Sequence, residues 1–125
     1  MIHRAIDQAQ QSTDFQHRVG CVITDKKGKV ISTGFNKRKS HPLQAKHAQH
    51  FNEGAIFLHA EIDALVRCRK QPYAIYVGRL TKGGNPGLAK PCPICMSAIM
   101  NAGVREVYYT TNDGAIEGFL VEEHK

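Results

Sequence analysis

Cys92-Pro93-Ile94-Cys95 and, upstream of it, His59-Ala60-Glu61 are the residues whose types and spacing could do chemistry. Taken alone, a Cys-x-x-Cys has three readings: half of a zinc site, a redox dithiol, or coincidence. The local pattern favours zinc. Pro93 suits the first position of a helix, where its missing N–H costs nothing. Cys92 then lies at the helix mouth, and Cys95, three positions on, faces the same side. Unpaired N–H groups and the positive dipole end favour thiolate there, the form that binds metal. His59 opens a second predicted helix, so its ring can point to the same place. An imidazole and two thiolates make three protein ligands, and a catalytic zinc keeps its fourth position for water. A structural site would close with a fourth residue, for which Cys21, Cys68, His41, His47 and His50 are available. A redox dithiol would leave His59 and Glu61 without a use.

Glu61 stands two positions after His59, near the metal but not obviously on it. A carboxylate there can take a proton from zinc-bound water and return it to a leaving group. Zinc lowers the pKa of bound water from about 15.7 to about 7. Hydroxide beside a proton shuttle suits attack on an amidine-like carbon. Ammonia leaves and a carbonyl remains.

The elements that must carry these residues follow from hydrophobic periodicity. Residues 2–11 place Ile2, Ala5, Ile6 and Ala9 on one face of a helix. Residues 19–24 and 29–35 are β-rich runs either side of Asp25–Gly28 and predict a hairpin. Residues 40–57 read as irregular, with Pro42 and Gly54 as breakers. Residues 59–70 predict a helix broken by Pro72, and 73–80 a buried strand. Residues 81–90 read as a Gly/Pro loop, 93–102 as a helix capped by Gly103, and 105–110 as a strand. The order α-β-β-α-β-α-β implies a sheet covered by helices, with a parallel pair from each βαβ unit. No repeat or linker divides the chain, so one domain is expected over residues 1–125.

With 125 residues, 42% of them hydrophobic, the chain can bury a core. No stretch approaches the roughly 18 apolar residues of a membrane span. The first residues, MIHRAIDQAQQ, lack the apolar run of a signal peptide. Four cysteines are too sparse for a disulfide scaffold. A cytoplasmic protein with reduced thiols, and no membrane partner, is expected. The net charge of +6 favours anionic partners. Lys26, Lys27 and Lys29 read as a solvated hairpin tip. Cys21, Cys68, Met96 and Met100 read as core, and His3, His17 and His124 as solvated.

His59-Ala60-Glu61 followed by Pro91-Cys92-Pro93-Ile94-Cys95 resembles the signature of the cytidine/deoxycytidylate deaminase superfamily, whose zinc pattern is a known general one. Val19–Ile23 looks like that family's first strand, Gly34-Phe35-Asn36 like the end of its second, and Ala102–Val107 like the join into its fourth. The resemblance runs from about residue 1 to residue 110. It implies an α/β, three-layer α-β-α fold with a mixed sheet of four to five strands and helices on both faces. It implies one Zn2+ per chain with bound water or hydroxide, held by His59, Cys92 and Cys95, with Glu61 catalytic. It also implies that Asn36 contacts the nucleoside, with Ala60 in the substrate-facing set.

The substrate class is less determined. Lys37, Arg38 and Lys39 follow Asn36, where a phosphate would lie if Asn36 holds the sugar, and Lys90 is a second candidate. A cytosine nucleotide, dCMP first, is therefore the expected substrate. Cytosine or adenine within single-stranded DNA or tRNA is the alternative, and a non-catalytic zinc-stabilised nucleic-acid-binding module the second. Phe35, Phe51 and Phe57 are candidates to stack on the base. The tail is short for a parallel fifth strand, since a crossover needs a dozen or more residues. Phe119-Leu120-Val121 should thus pair antiparallel or with another subunit. The exposed edge this leaves, and the family's habit, imply a homo-oligomer.

Overall fold

The computed structural model describes residues 1–12, 17–37 and 58–121. Arg18–Thr24 (β1) and Val30–Phe35 (β2) form the expected antiparallel hairpin. Its tip is held by the Asp25 carboxylate, which accepts the N–H groups of Lys27 and Lys29 at 2.9 Å each. Gly28 takes a positive φ of 86° there, which other residues resist. The tip lysines are exposed.

β1 then pairs antiparallel along its whole length with Ala74–Leu80 (β3). The expected adjacency of β2 and β3 therefore fails, because β1 lies between them. The cause is the burial of β1: residues 20–24 are all buried, and such a strand needs a neighbour on each edge. One parallel pair does form, between β3 and Glu106–Thr110 (β5). Pro86–Gly87 (β4), in the segment expected as pure loop, pairs antiparallel with Arg79 and Leu80 of β3. Ile116–Leu120 (β6) returns antiparallel to β5, as the short tail required. The order is β2-β1-β3-β5-β6, with β4 beside the end of β3.

Helices cover both faces of this mixed sheet. Ile2–Ala9 (α1) rests on one face, where a Cβ at Gly20 would strike the backbone of Ala5 and Ala9. Ala60–Arg67 (α2) and Pro93–Asn101 (α3) occupy the other. A Cβ at Gly34 would lie 2.5 Å from Ala64 N, so glycine lets α2 sit on β2. The core between these helices and the sheet includes Cys21, Ile23, Ile62, Ile75, Val77, Ile99 and Val107. Three sequence expectations need correction. α1 stops at Ala9 rather than residue 11. α2 stops at Arg67 rather than residue 70, because Cys68 turns to extended backbone. Met100, expected in the core, is exposed on the outer side of α3, while Met96 packs against the core. The segment read as irregular, 40–57, lies outside the described residues.

β2, β3 and β5 all run in one direction, opposite to β1. Their carboxyl ends, the start of β1 and the amino ends of α2 and α3 gather on one side of the molecule, where open α/β sheets bind ligands.

Candidate active site

Two helix mouths build the first wall of the site. His59 is the N-cap of α2, with extended backbone at φ −73° and ψ 149°. Cys92 is the N-cap of α3, with φ −71° and ψ 168°, and Pro93 follows in the first turn. Neither side chain caps its own helix, so both are available to face each other. His59 Nδ1 lies 3.1 Å from Cys95 Sγ and 3.5 Å from Cys92 Sγ. The three donor atoms all fall within 4.8 Å of one another.

That arrangement fits a zinc ion. Tetrahedral zinc with Zn–N near 2.0–2.1 Å and Zn–S near 2.3 Å separates nitrogen from sulfur by roughly 3.5 Å. The two nitrogen–sulfur distances lie within a few tenths of an ångström of that value. Among the described residues no fourth His, Cys or carboxylate joins the group. Cys21 is instead a core residue and Cys68 packs at the core edge, its thiol on the Lys70 carbonyl. His41, His47 and His50 lie outside the described residues.

The electrostatics of this wall follow from crowding. The Cys92 thiol is brought down to about 4, chiefly by a hydrogen bond from Cys95, against the opposing effect of burial. Cys95, giving that bond and itself buried, is pushed well above the usual thiol range. Glu61 is buried in the first turn of α2. Burial raises its pKa, and the neighbouring His59 works in the opposite direction.

Strand ends make the second wall. Asn36 follows β2 and is buried. Its Oδ1 accepts the Val19 N–H at 2.9 Å, and its Nδ2 donates to the His17 carbonyl at 2.5 Å. The side chain thus pins the start of β1. Asp63, one turn into α2, accepts the Phe35 N–H at 3.2 Å and pairs with Lys37 at 2.7 Å. Lys37 also exchanges backbone hydrogen bonds with Leu58. These links fix the end of β2 to the mouth of α2.

Between the walls is a cavity of about 300 Å3, at the small end of the roughly 300–1,000 Å3 seen for small-molecule sites. Of the residues singled out from sequence, Asn36, His59, Ala60, Glu61, Lys90 and Cys92 line it. Cys95 is buried beside His59. Lys37 is not in the lining: its ammonium is committed to Asp63 and lies 4.4 Å from the Phe35 ring centre. A phosphate contact through Lys37 therefore has no support in this geometry, and Phe35 is occupied by that cation. Arg38, Lys39, Phe51 and Phe57 lie outside the described residues.

Among the lining residues not expected from sequence, two carry polar side chains. His17, expected as merely solvated, is exposed but lines the cavity, and its Nδ1 lies 2.9 Å from Arg79 Nη2. Arg79 stands at the end of β3. A signal for it existed: in Tyr73–Leu80 it shares the parity of Ile75 and Val77, a charge in register with core positions.

Comparison with known proteins agrees with this geometry. Residues 1–111 match the cytidine and deoxycytidylate deaminase zinc-binding region. No curated protein sequence matches the chain significantly. Among solved structures, Acinetobacter baumannii RibD, form 2, has a similar fold, with a TM-score of 0.54 and 23% sequence identity. That similarity covers 88% of this chain but only 27% of the RibD chain. Among the described residues no helix is long and apolar enough to cross a membrane.

Proposed function

The chain belongs to the cytidine and deoxycytidylate deaminase zinc-binding family, and from that premise we propose that it hydrolytically deaminates a cytosine nucleotide, with dCMP the first substrate to test. The observation that carries this reading is a nitrogen and two sulfurs from two helix mouths, within 4.8 Å of one another, bordering a cavity that Glu61 also lines. Zinc, when held by His59, Cys92 and Cys95, supplies a Lewis acid that brings the pKa of water to about 7.

The chain's own residues account for the proton traffic. Glu61 accepts a proton from the attacking water and delivers it to the ring nitrogen of cytosine. It then carries a second proton to the exocyclic amino group. The C–N bond breaks, ammonia leaves, and oxygen from water remains as the uracil carbonyl. Glu61 is buried in the first turn of α2 and lines the cavity beside His59 and Cys92, which puts its carboxylate within the site where these protons move. Ala60 and Asn36 line the cavity beside these groups and are assigned to hold base and sugar. Lys90, also in the lining, is assigned to the phosphate side.

Three subsidiary proposals accompany this reading. The 125 residues form one domain. None of the four cysteines is in a disulfide, which supports a reducing compartment such as the cytoplasm. β6 is an outer strand with Ile116 and Leu120 exposed, which supports a homo-oligomer. A light-scattering mass of one chain would contradict the last.

The test is a panel assay of zinc-loaded protein. Cytidine, deoxycytidine, CMP, dCMP, adenosine, single-stranded DNA and tRNA are offered, and products are separated by mass. Conversion of dCMP to dUMP with release of ammonia is expected. Protein holding one zinc per chain that converts no cytosine compound would overturn the proposal.

A further inference from the structure

Arg79 is a cation in a place where a cation needs a partner. Along β3, alternation puts it on the sheet face of Ile75 and Val77, core residues beneath α2 and α3. The side chain is consequently half-buried and lines the cavity instead of standing in solvent. Its root is fixed. Arg79 pairs with Val19 on one side and Gly87 on the other. Its N–H donates to Thr110 Oγ1 at 3.1 Å, and that hydroxyl donates to the Gly87 carbonyl at 2.6 Å.

The charged end is less well provided for. Nη2 donates to His17 Nδ1 at 2.9 Å. A guanidinium has no lone pair to offer, so His17 Nδ1 is the acceptor in this contact. The Nε of Arg79 is buried and has no hydrogen-bond partner among the described residues. Among the described residues no carboxylate lies within ion-pair distance of Arg79; the ion pairs there are Lys37–Asp63 and Arg67–Asp63. Lys90 adds a second cation to the same cavity. A half-buried cation with no carboxylate beside it among the described residues is costly unless an anion completes the site, and guanidinium matches phosphate in geometry.

We infer that Arg79, oriented by His17, binds the phosphate monoester of the substrate and so makes the site selective for a nucleoside monophosphate over a nucleoside. This rests on the deaminase reading and moves the phosphate from Lys37, outside the cavity lining, to Arg79 within it.

The experiment uses the zinc-loaded full chain, with Arg79→Gln and Arg79→Lys variants. KM and kcat are measured for dCMP and deoxycytidine, and binding by calorimetry for the product pair dUMP and deoxyuridine. In Arg79→Gln, KM for dCMP and Kd for dUMP should rise about ten- to a hundredfold more than the values for the nucleosides, the loss of a charge-assisted contact. Arg79→Lys should recover part of the preference. Lys82→Gln, on an exposed turn, should change neither. Wild-type zinc content in the variants shows that the site is intact, and Arg79→Lys serves if the glutamine variant does not fold. Equal losses for nucleotide and nucleoside, or tighter binding of a single-stranded oligonucleotide than of dUMP, would overturn the inference. If wild-type protein turns over nothing, the deaminase reading fails. The dUMP-over-deoxyuridine preference, and its loss in the variants, still decides the role of Arg79.

Discussion

The cavity has two unlike walls. One is made by the mouths of α2 and α3, where two short motifs present His59, Glu61, Cys92 and Cys95. The other is made by strand ends, where His17, Asn36 and Arg79 come from three separate stretches of chain. The first wall is assembled by local rules: a helix start places each ligand, and three-residue spacing aligns the pair of cysteines. The second depends on register. His17 and Arg79 are 62 residues apart and meet because β1 and β3 pair as Val19↔Arg79. Under the proposed function reaction type resides in the local wall, and under the Arg79 proposal substrate preference resides in the wall that register builds.

Breaking the first wall should have the largest effect. Cys92→Ser should lose zinc, activity and thermal stability together, since a ligand-deficient site no longer couples metal binding to folding. Metal analysis and a melting curve check this; a variant that keeps one zinc per chain would remove Cys92 from the ligand set. Arg79→Gln should come next, altering preference while zinc remains.

A smaller effect is expected where the walls are joined. Asp63→Asn should lose about 2–3 kcal/mol of stability, because Lys37 is left half-buried without its partner and the Phe35 N–H loses a charged acceptor. Lys37→Met should cost about 1 kcal/mol, as Asp63 keeps its bond to Phe35 and its contact with Arg67 at 3.8 Å. Its KM for dCMP should stay at the wild-type value. A rise in that KM matching Arg79→Gln would return the phosphate to Lys37 and erase the distinction between the walls.

What could be read from sequence follows the same division. Pro93 and the cysteine spacing are enough to place Cys92 at a helix mouth, and the short connection after Thr110 leaves no room for a parallel crossover, so β6 is antiparallel. β-rich, apolar runs mark β1 and β3 as strands, yet nothing local tells β1 to lie between β2 and β3. That insertion is set by burial on both faces of β1, a property of the assembled sheet. Lys37 looked like a phosphate ligand because it follows Asn36 in sequence. Its actual partner, Asp63, lies 26 residues away and becomes adjacent only when α2 docks on Gly34. Arg79 was passed over because one charge at the end of an apolar strand reads as a strand terminus.

The most direct test pairs metal content with turnover of dCMP in wild-type protein and Glu61→Gln. One zinc per chain is expected in both, with dUMP formed by the wild type and a loss of about 10²-fold or more in the variant, the scale of a removed proton shuttle. Zinc lost from Glu61→Gln would put the carboxylate among the ligands, and undiminished dUMP formation would take it out of the reaction.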